Sequence, residues 1–355
     1  MESGARRAVP ARMIPRMSTP PSEHPAAAHP DASDKPGWLA AWRIYLEPAT
    51  LRMLALGFAA GLPLLLVLGT LSFRLREAGI DRATIGYLSW IGLAYGFKWV
   101  WSPLVDRLPL PGLARWLGQR RSWLLLAQLG VAGGLIGMAL ADPRQGLQAV
   151  AGFAVLVAFA SATQDIALDA YRIESASTER QAALAAAYQA GYRLAMIWAG
   201  AGVLWLAARA EVVTQVLGAP PLASTLNYQN AAWTTAYLVM AASMLPGMLT
   251  VLLAPAIPLA AGKAPVAPGP MAWLREAIVE PFLDFVRRYR WQAVLILALI
   301  AIYRVSDVVM GIMANPFYVD MGYSKDEVAT VTKVYGLLMT LAGSFAGGRW
   351  PCAWA

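Results

Sequence analysis

Apolar positions fall into eight long runs, at about 51–73, 84–104, 122–141, 147–171, 182–208, 231–254, 291–313 and 328–348. Each is close to the ~20 residues a helix needs to cross a bilayer. The pattern predicts eight membrane spans joined by short polar loops, with one long exception from Pro255 to Arg290. That loop opens with Pro255, Pro258, Pro265, Pro268 and Pro270 and then reads MAWLREAIVEPFLDFVRRY. Trp273, Ile278, Phe282, Phe285 and Val286 roughly follow helical spacing, which predicts an amphipathic helix on the membrane surface. Residues 1–50 are polar and rich in Pro, Ala and Arg, and lack the apolar core and small-residue cleavage site of a signal peptide. They read as a disordered cytoplasmic tail with Trp38, Trp42 and Tyr45 as interfacial anchors.

Composition strengthens this reading. The chain is 58% hydrophobic and 14% charged, where soluble domains carry about 45–50% apolar and ~25% charged residues. A soluble enzyme is excluded. The single cysteine, Cys352, rules out an intrachain disulfide. The two histidines, His24 and His29, lie in the tail, so no histidine-based metal site or triad can form in the membrane. The net charge of +8 sits mostly in loops, where it signals topology and contact with anionic lipid, not nucleic acid. With the N-terminus inside, 18 loop and tail cations fall on the cytoplasmic side against 6 opposite. The positive-inside rule then places the N-terminus and the central loop in the cytoplasm.

Six spans, a long basic cytoplasmic loop and further spans form a layout that resembles the major facilitator transporters, which pair two six-helix halves around a midplane site. The expected fold class is all-α: a polytopic membrane protein with the major facilitator fold. Residues 51–254 form the complete six-helix N-terminal half, 255–290 the cytoplasmic central loop, and 291–348 the first two helices of the C-terminal half. Residues 349–355 stand apart as a tail.

Charged residues within spans are costly and by default mark function. Asp165 and Asp169 are four apart and share a helical face. Counted from Arg172, Asp165 lies ~10 Å deep, and Lys98 lies ~9 Å deep from the same side, which predicts a Lys98–Asp165 ion pair. Arg193, Arg304 and Asp307 lie nearer the midplane, and the six charges balance. Gln164, Tyr95, Tyr192 and Tyr303 stand beside them and complete the candidate substrate and proton-coupling set. In the functional reading one carboxylate carries a coupling proton while the cations hold an anionic substrate. In the alternative the charges are static helix-packing bridges, and Asp169 simply sits at the inner interface beside Arg172. No nucleophile–base pair, metal-ligand cluster or phosphate-cradling loop occurs, so no enzyme, metal or ATP motor is expected.

The loop after the second span reads WSPLVDRLPLPGLARWLGQRRSW. Asp106, Arg107, Arg120 and Arg121 resemble the facilitator signature loop, with a Pro-rich insert that departs from the compact pattern. The resemblance implies a conformational-switch loop whose Asp ties it to neighbouring helix ends in one state.

A more specific likeness runs from Leu51 to about Gly348. GFAAGLPLLLVLGTLSFRLREAGIDRATIGYLSWIGLAYGFKWVWSPLVDR, ASATQDIALDAYRIE, AAYQAGYRLAMIWAG, EAIVEPFLDFVRR and YRVSDVVMGIMANPFYVDMGYSKDEVATVTKVYGLL occur in order. These blocks resemble the AmpG-type muropeptide permease family. The resemblance implies a multi-pass importer in the bacterial inner membrane. Its cargo would be N-acetylglucosaminyl-1,6-anhydro-N-acetylmuramic acid with or without peptide, and its energy source the proton gradient, with no cofactor. The products would feed cell-wall recycling. Two alternatives stay open: another cargo of the same family (a siderophore or acetyl-CoA), or a truncated remnant that does not transport.

The final stretch GSFAGGRWPCAWA departs from the family, whose members continue for at least four more spans. A frameshift is the expected cause. In assumed GC-rich codons, restoring one G to a G run turns Gly-Gly-Arg-Trp-Pro-Cys-Ala-Trp-Ala into Gly-Gly-Ala-Leu-Ala-Leu-Arg-Leu-Gly, an ordinary helix continuation. Sequencing the locus past its last codon should recover a displaced frame rich in apolar codons. A stop followed by no such frame would remove the frameshift.

Overall fold

In the computed structural model the described residues are 46–175, 178–216, 228–255, 275, 279–336 and 339. Among them there is no strand. Of the expected tail 1–50, residues 1–45 with Trp38, Trp42 and Tyr45 lie outside the described residues, as does the end of the chain, 340–355, while Pro48–Thr50 already belong to the first helix.

Pro48 opens α1 (Pro48–Val67) at a first-turn position, where its missing N–H costs nothing. The helix breaks at Leu68 and resumes as α2 (Gly69–Glu77). Next come α3 (Arg82–Leu88), α4 (Leu93–Phe97) and α5 (Ser102–Arg107), joined by the short 3₁₀ turns Ser89–Gly92 and Lys98–Val100. After α6 (Leu113–Leu117) the long helices α7 (Gln119–Leu140) and α8 (Pro143–Glu174) run antiparallel. α9 (Thr178–Ile197) passes through a π turn, Trp198–Gly202, into α10 (Val203–Val216). Then follow α11 (Asn230–Ala242), α12 (Leu245–Leu253), α13 (Glu280–Tyr289), α14 (Trp291–Asp320) and α15 (Lys325–Glu327), which leads into the π-helical Val328–Tyr335.

Among the described residues five helical stretches are long and apolar enough to cross a membrane: Pro48–Glu77, Gln119–Leu140, Pro143–Glu174, Arg180–Val213 and Asn230–Leu253. Trp291–Tyr303 is a shorter apolar helix within α14. The chain is an all-α polytopic membrane protein. The run 84–104, expected as one continuous helix, is instead the broken series α3–α5. Gly86, Gly92 and Gly96 weaken helix there. Pro103 has no N–H for the carbonyl one turn earlier, and that carbonyl, of Trp99, accepts from the Ser102 hydroxyl at 3.1 Å. The central-loop helix forms over Glu280–Tyr289, while Trp273, Ile278 and the Phe282 side chain lie outside the described residues.

Small residues let the first span approach the fifth. A methyl group at Gly57, Gly61 or Gly191 would collide with backbone of the facing helix, at Tyr188, Tyr192 and Leu54 respectively. Irregular backbone is repaired by side chains from other helices. The Ala199 carbonyl in the π turn accepts from Thr70 Oγ1 at 2.9 Å. At the break in the first span the Leu66 carbonyl accepts from the Tyr237 hydroxyl at 3.0 Å. Pro316 lies inside α14, and the carbonyl it leaves without an N–H, that of Ile312, accepts from Ser72 Oγ at 3.2 Å.

Two arginines close helix ends. Arg74, which the loop charge count treats as a loop cation, is 0% exposed. It donates to the Met138 and Ala141 carbonyls at the end of α7, at 2.6 and 2.8 Å, and to Asn230 Oδ1 at 3.0 Å. Arg121 donates to the Val251 and Leu252 carbonyls at the end of α12, at 2.8 and 2.7 Å. Both place positive charge at the negative pole of a helix. Arg74→Ala should strip three acceptors of a buried charged donor, each such bond contributing about 1.5–3 kcal/mol. The expected outcome is a lowered melting temperature in detergent. An unchanged one would show that α7 and α11 hold without Arg74.

Candidate functional site

The broken second segment lies against α8, and this places the candidate site. Lys98, in the 3₁₀ turn before α5, brings its Nζ to 3.6 Å from Asp165 Oδ2 on α8. The Asp165 side chain is 16% exposed and that of Lys98 38%. Among the described residues the second carboxylate oxygen, Asp165 Oδ1, is buried without a hydrogen-bond partner. Next to it Gln164 is fully buried, and among the described residues neither its amide nitrogen nor its oxygen has one. Unpaired buried polar atoms are expensive.

Aromatic groups enclose this patch. The Tyr95 hydroxyl is buried within electrostatic range of Asp165 and Tyr192. Tyr188 and Tyr192 on α9 pair at 6.1 Å between ring centroids. Trp101 stacks on Phe159 at 4.6 Å and donates from its indole N–H to Thr163 Oγ1 at 3.1 Å. The helical break thus turns Tyr95, Lys98 and Trp101 toward one stretch of α8, Phe159–Asp165.

The remaining candidates fall elsewhere. Asp169 is half exposed and pairs with Arg172 one turn on, at 3.5 Å. Arg193 is exposed, with its guanidinium 3.7 Å from the Met196 sulfur. Tyr303 is 75% exposed on α14. The Arg304 and Asp307 side chains lie outside the described residues.

The Asp106 loop is organised by one guanidinium. Arg120, 7% exposed, donates to Asp106 Oδ1 at 2.6 Å and to both oxygens of Glu174 at 2.7 to 3.2 Å. Gln119 donates to the Asp106 carbonyl at 2.6 Å, and Trp123 to the Leu108 carbonyl at 2.8 Å. The loop is therefore tied to the start of α7 and the end of α8. Arg121 turns the other way to cap α12, and the Arg107 side chain lies outside the described residues. Glu174 closes the ASATQDIALDAYRIE block and is absent from the sequence-based candidates; its signal is its place at the end of α8, antiparallel to the start of α7.

The fold defines a multi-pass, all-α membrane protein, and its relatives give the class. The family model described as acetyl-coenzyme A transporter 1 matches residues 50–142. A protein of Rickettsia felis named putative transporter AmpG 4 is 33% identical over 306 residues, covering 86% of this chain and 68% of that protein. The anhydromuropeptide permease of Escherichia coli is 36% identical over 307 residues, covering 86% of this chain and 56% of the permease. The chain belongs to the AmpG family of membrane transporters, and it spans between just over half and about two thirds of the length of these two relatives.

Arg120→Ala should leave two partly exposed carboxylates without their shared cation, a loss of about 1–3 kcal/mol because water can reach both of them. Thermal unfolding in detergent should show it, with Arg120→Lys intermediate because the bidentate grip on Glu174 is lost. Equal stability of all three proteins would reduce the network to a surface ornament.

Proposed function

We propose that this chain is a secondary active transporter that carries muropeptides, N-acetylglucosaminyl-anhydromuramic acid with or without peptide, across the inner membrane for cell-wall recycling, driven by the proton gradient. The relatives' names support the cargo class, and the observation that carries the mechanism is the Lys98–Asp165 contact at 3.6 Å with Asp165 Oδ1 unpartnered. In this reading residues 51–254 form the N-terminal six-helix half, with the broken α3–α5 segment as its second member, and Trp291 begins the next half. The Asp106 face is cytoplasmic, as the loop cations require.

Lys98 alternates between two anions. When Asp165 is ionised it holds Lys98. A proton taken up by Asp165 ends that attraction and leaves the ammonium free for a carboxylate of the cargo. Tyr95 and Tyr192 offer ring faces and hydroxyls to the sugar, and Gln164 supplies an amide donor and acceptor. Release of the cargo anion restores the Lys98–Asp165 pair and drives the proton off on the other side. The Asp106–Arg120–Glu174 network holds the cytoplasmic ends of α5, α7 and α8 together in one conformational state. The match to the acetyl-coenzyme A transporter model supports a second reading, in which the cargo anion is the phosphate-rich acetyl-CoA.

Proteoliposomes with an imposed inward proton gradient should accumulate radiolabelled N-acetylglucosaminyl-anhydromuramic acid, and an uncoupler should abolish this. Asp165→Asn should lose accumulation while keeping part of the cargo exchange. Accumulation unaffected by the uncoupler or by Asp165→Asn would return Asp165 to helix packing. Displacement of the label by acetyl-CoA alone would favour the second reading.

A further inference from the structure

At the face remote from Asp106 a second charge cluster joins segments far apart in sequence. Lys325, at the start of α15, is 6% exposed. Its ammonium lies 3.0 Å from Glu77 Oε2 at the end of α2 and also contacts Glu211 on α10. The same Glu77 oxygen accepts from the Trp233 indole N–H at 2.7 Å, and the ammonium stands 5.1 Å from the Trp233 ring. Lys325 therefore binds α15 to three helices of the first six spans at once.

Charge and water access decide what such a junction can do. Apolar packing between these segments would resist separation through the hydrophobic effect. An ammonium between two carboxylates instead regains hydration when parted, provided water is at hand. A cavity of about 360 Å³, lined by Glu77, Glu211, Tyr323 and Lys325 among others, lies beside the cluster. The junction is thus firm when closed and can be solvated when open. It is also remote from the candidate site: Asp165 lies 19 residues along α8 from the kink at Gly146, about 28 Å at 1.5 Å per residue.

We propose that Glu77, Glu211 and Lys325 form the gate that closes the Asp165 site from the face opposite Asp106, with all three acting as positioning residues for the transport cycle. The proposal rests on the transporter reading but not on any cargo. In the closed state Lys325 holds α15 against α2 and α10. Opening separates the ammonium from both carboxylates and admits water from the cavity. Nearby, Asp320 accepts from Arg76 and Arg82 and ties the end of α14 to the same face. That second tie keeps the hairpin between α14 and α15 attached while Lys325 swings free.

Access can be read without transport. In the chain carrying Cys352→Ser, Ser161→Cys places a thiol on α8 beside Tyr95. A membrane-impermeant maleimide is applied to right-side-out and inverted vesicles, whose orientation is assigned with Gln145→Cys at the exposed remote end of α8. Lys325→Gln should raise labelling of the thiol introduced by Ser161→Cys at least fivefold from the remote face and leave labelling from the Asp106 face unchanged or lower. Unchanged remote labelling would overturn the gate, and so would an equal rise from both faces, which marks a loosened bundle. Lys325→Arg, which keeps a cation between Glu77 and Glu211, guards against poor folding of the charge-deleted variant. It should leave remote labelling near the parent level, and a rise as large as that of Lys325→Gln would overturn the gate. Because the readout is thiol access, a gate that responds while uptake is absent would count against the proposed transport activity alone.

Discussion

Inside a bilayer there is no water to accept a proton from an N–H or donate one to a carbonyl, so every break in a helix must be repaired by the protein itself. Much of the architecture follows from this. The first span breaks at Leu68, and hydroxyls from α2 and α11 answer carbonyls left open there and in the π turn. Pro316 removes a donor from α14, and Ser72 supplies one. The repairs are also cross-links: each joins helices that are distant in the chain. Irregularity and cohesion are in this sense the same feature, and the interior can hold a broken segment beside α8 without losing its order.

Charge is handled by the same logic at both faces. Arg74 and Arg121 give their guanidinium groups to helix ends, not to carboxylates, and so offset their burial through backbone carbonyls. Arg120 instead gathers two carboxylates, and Lys325 does likewise at the opposite face. Outside the spans, Asp320 is pushed upward by burial, but hydrogen bonds and attraction from Arg76 and Arg82 outweigh it and hold its carboxyl below the usual carboxylate range. The Lys98–Asp165 pair is looser than these clusters, with a 3.6 Å separation and an oxygen left over.

Much of this was legible in the residues. Continuous apolar runs set the positions of the long helices, because membrane length is a strong constraint on any span. Depth counting along two helices was enough to bring Lys98 beside Asp165. The Asp106 loop showed its arginines but not its second carboxylate, Glu174, whose signal lay only in the hairpin of two consecutive runs that brings the end of one beside the start of the other. The second span hid its breaks because its glycines are compatible with both a helix and a turn, and only packing decides. Arg74 looked like a loop cation because a buried arginine and a surface one occupy the same place at the end of an apolar run. Lys325 and Glu211 are separated by 114 positions, and no periodicity links them.

The π turn at Trp198–Gly202 has a geometric effect on everything after it. An α-helix advances about 100° per residue, so a turn that carries one extra residue offsets the angular phase of α10 relative to α9 by about that amount. Tyr188 and Tyr192 can therefore face α8 and the first span while Glu211, on what would otherwise be a different stripe of the same rod, faces Lys325. One helix serves two unlike neighbourhoods at its two ends, and the wide turn sets the dial between them.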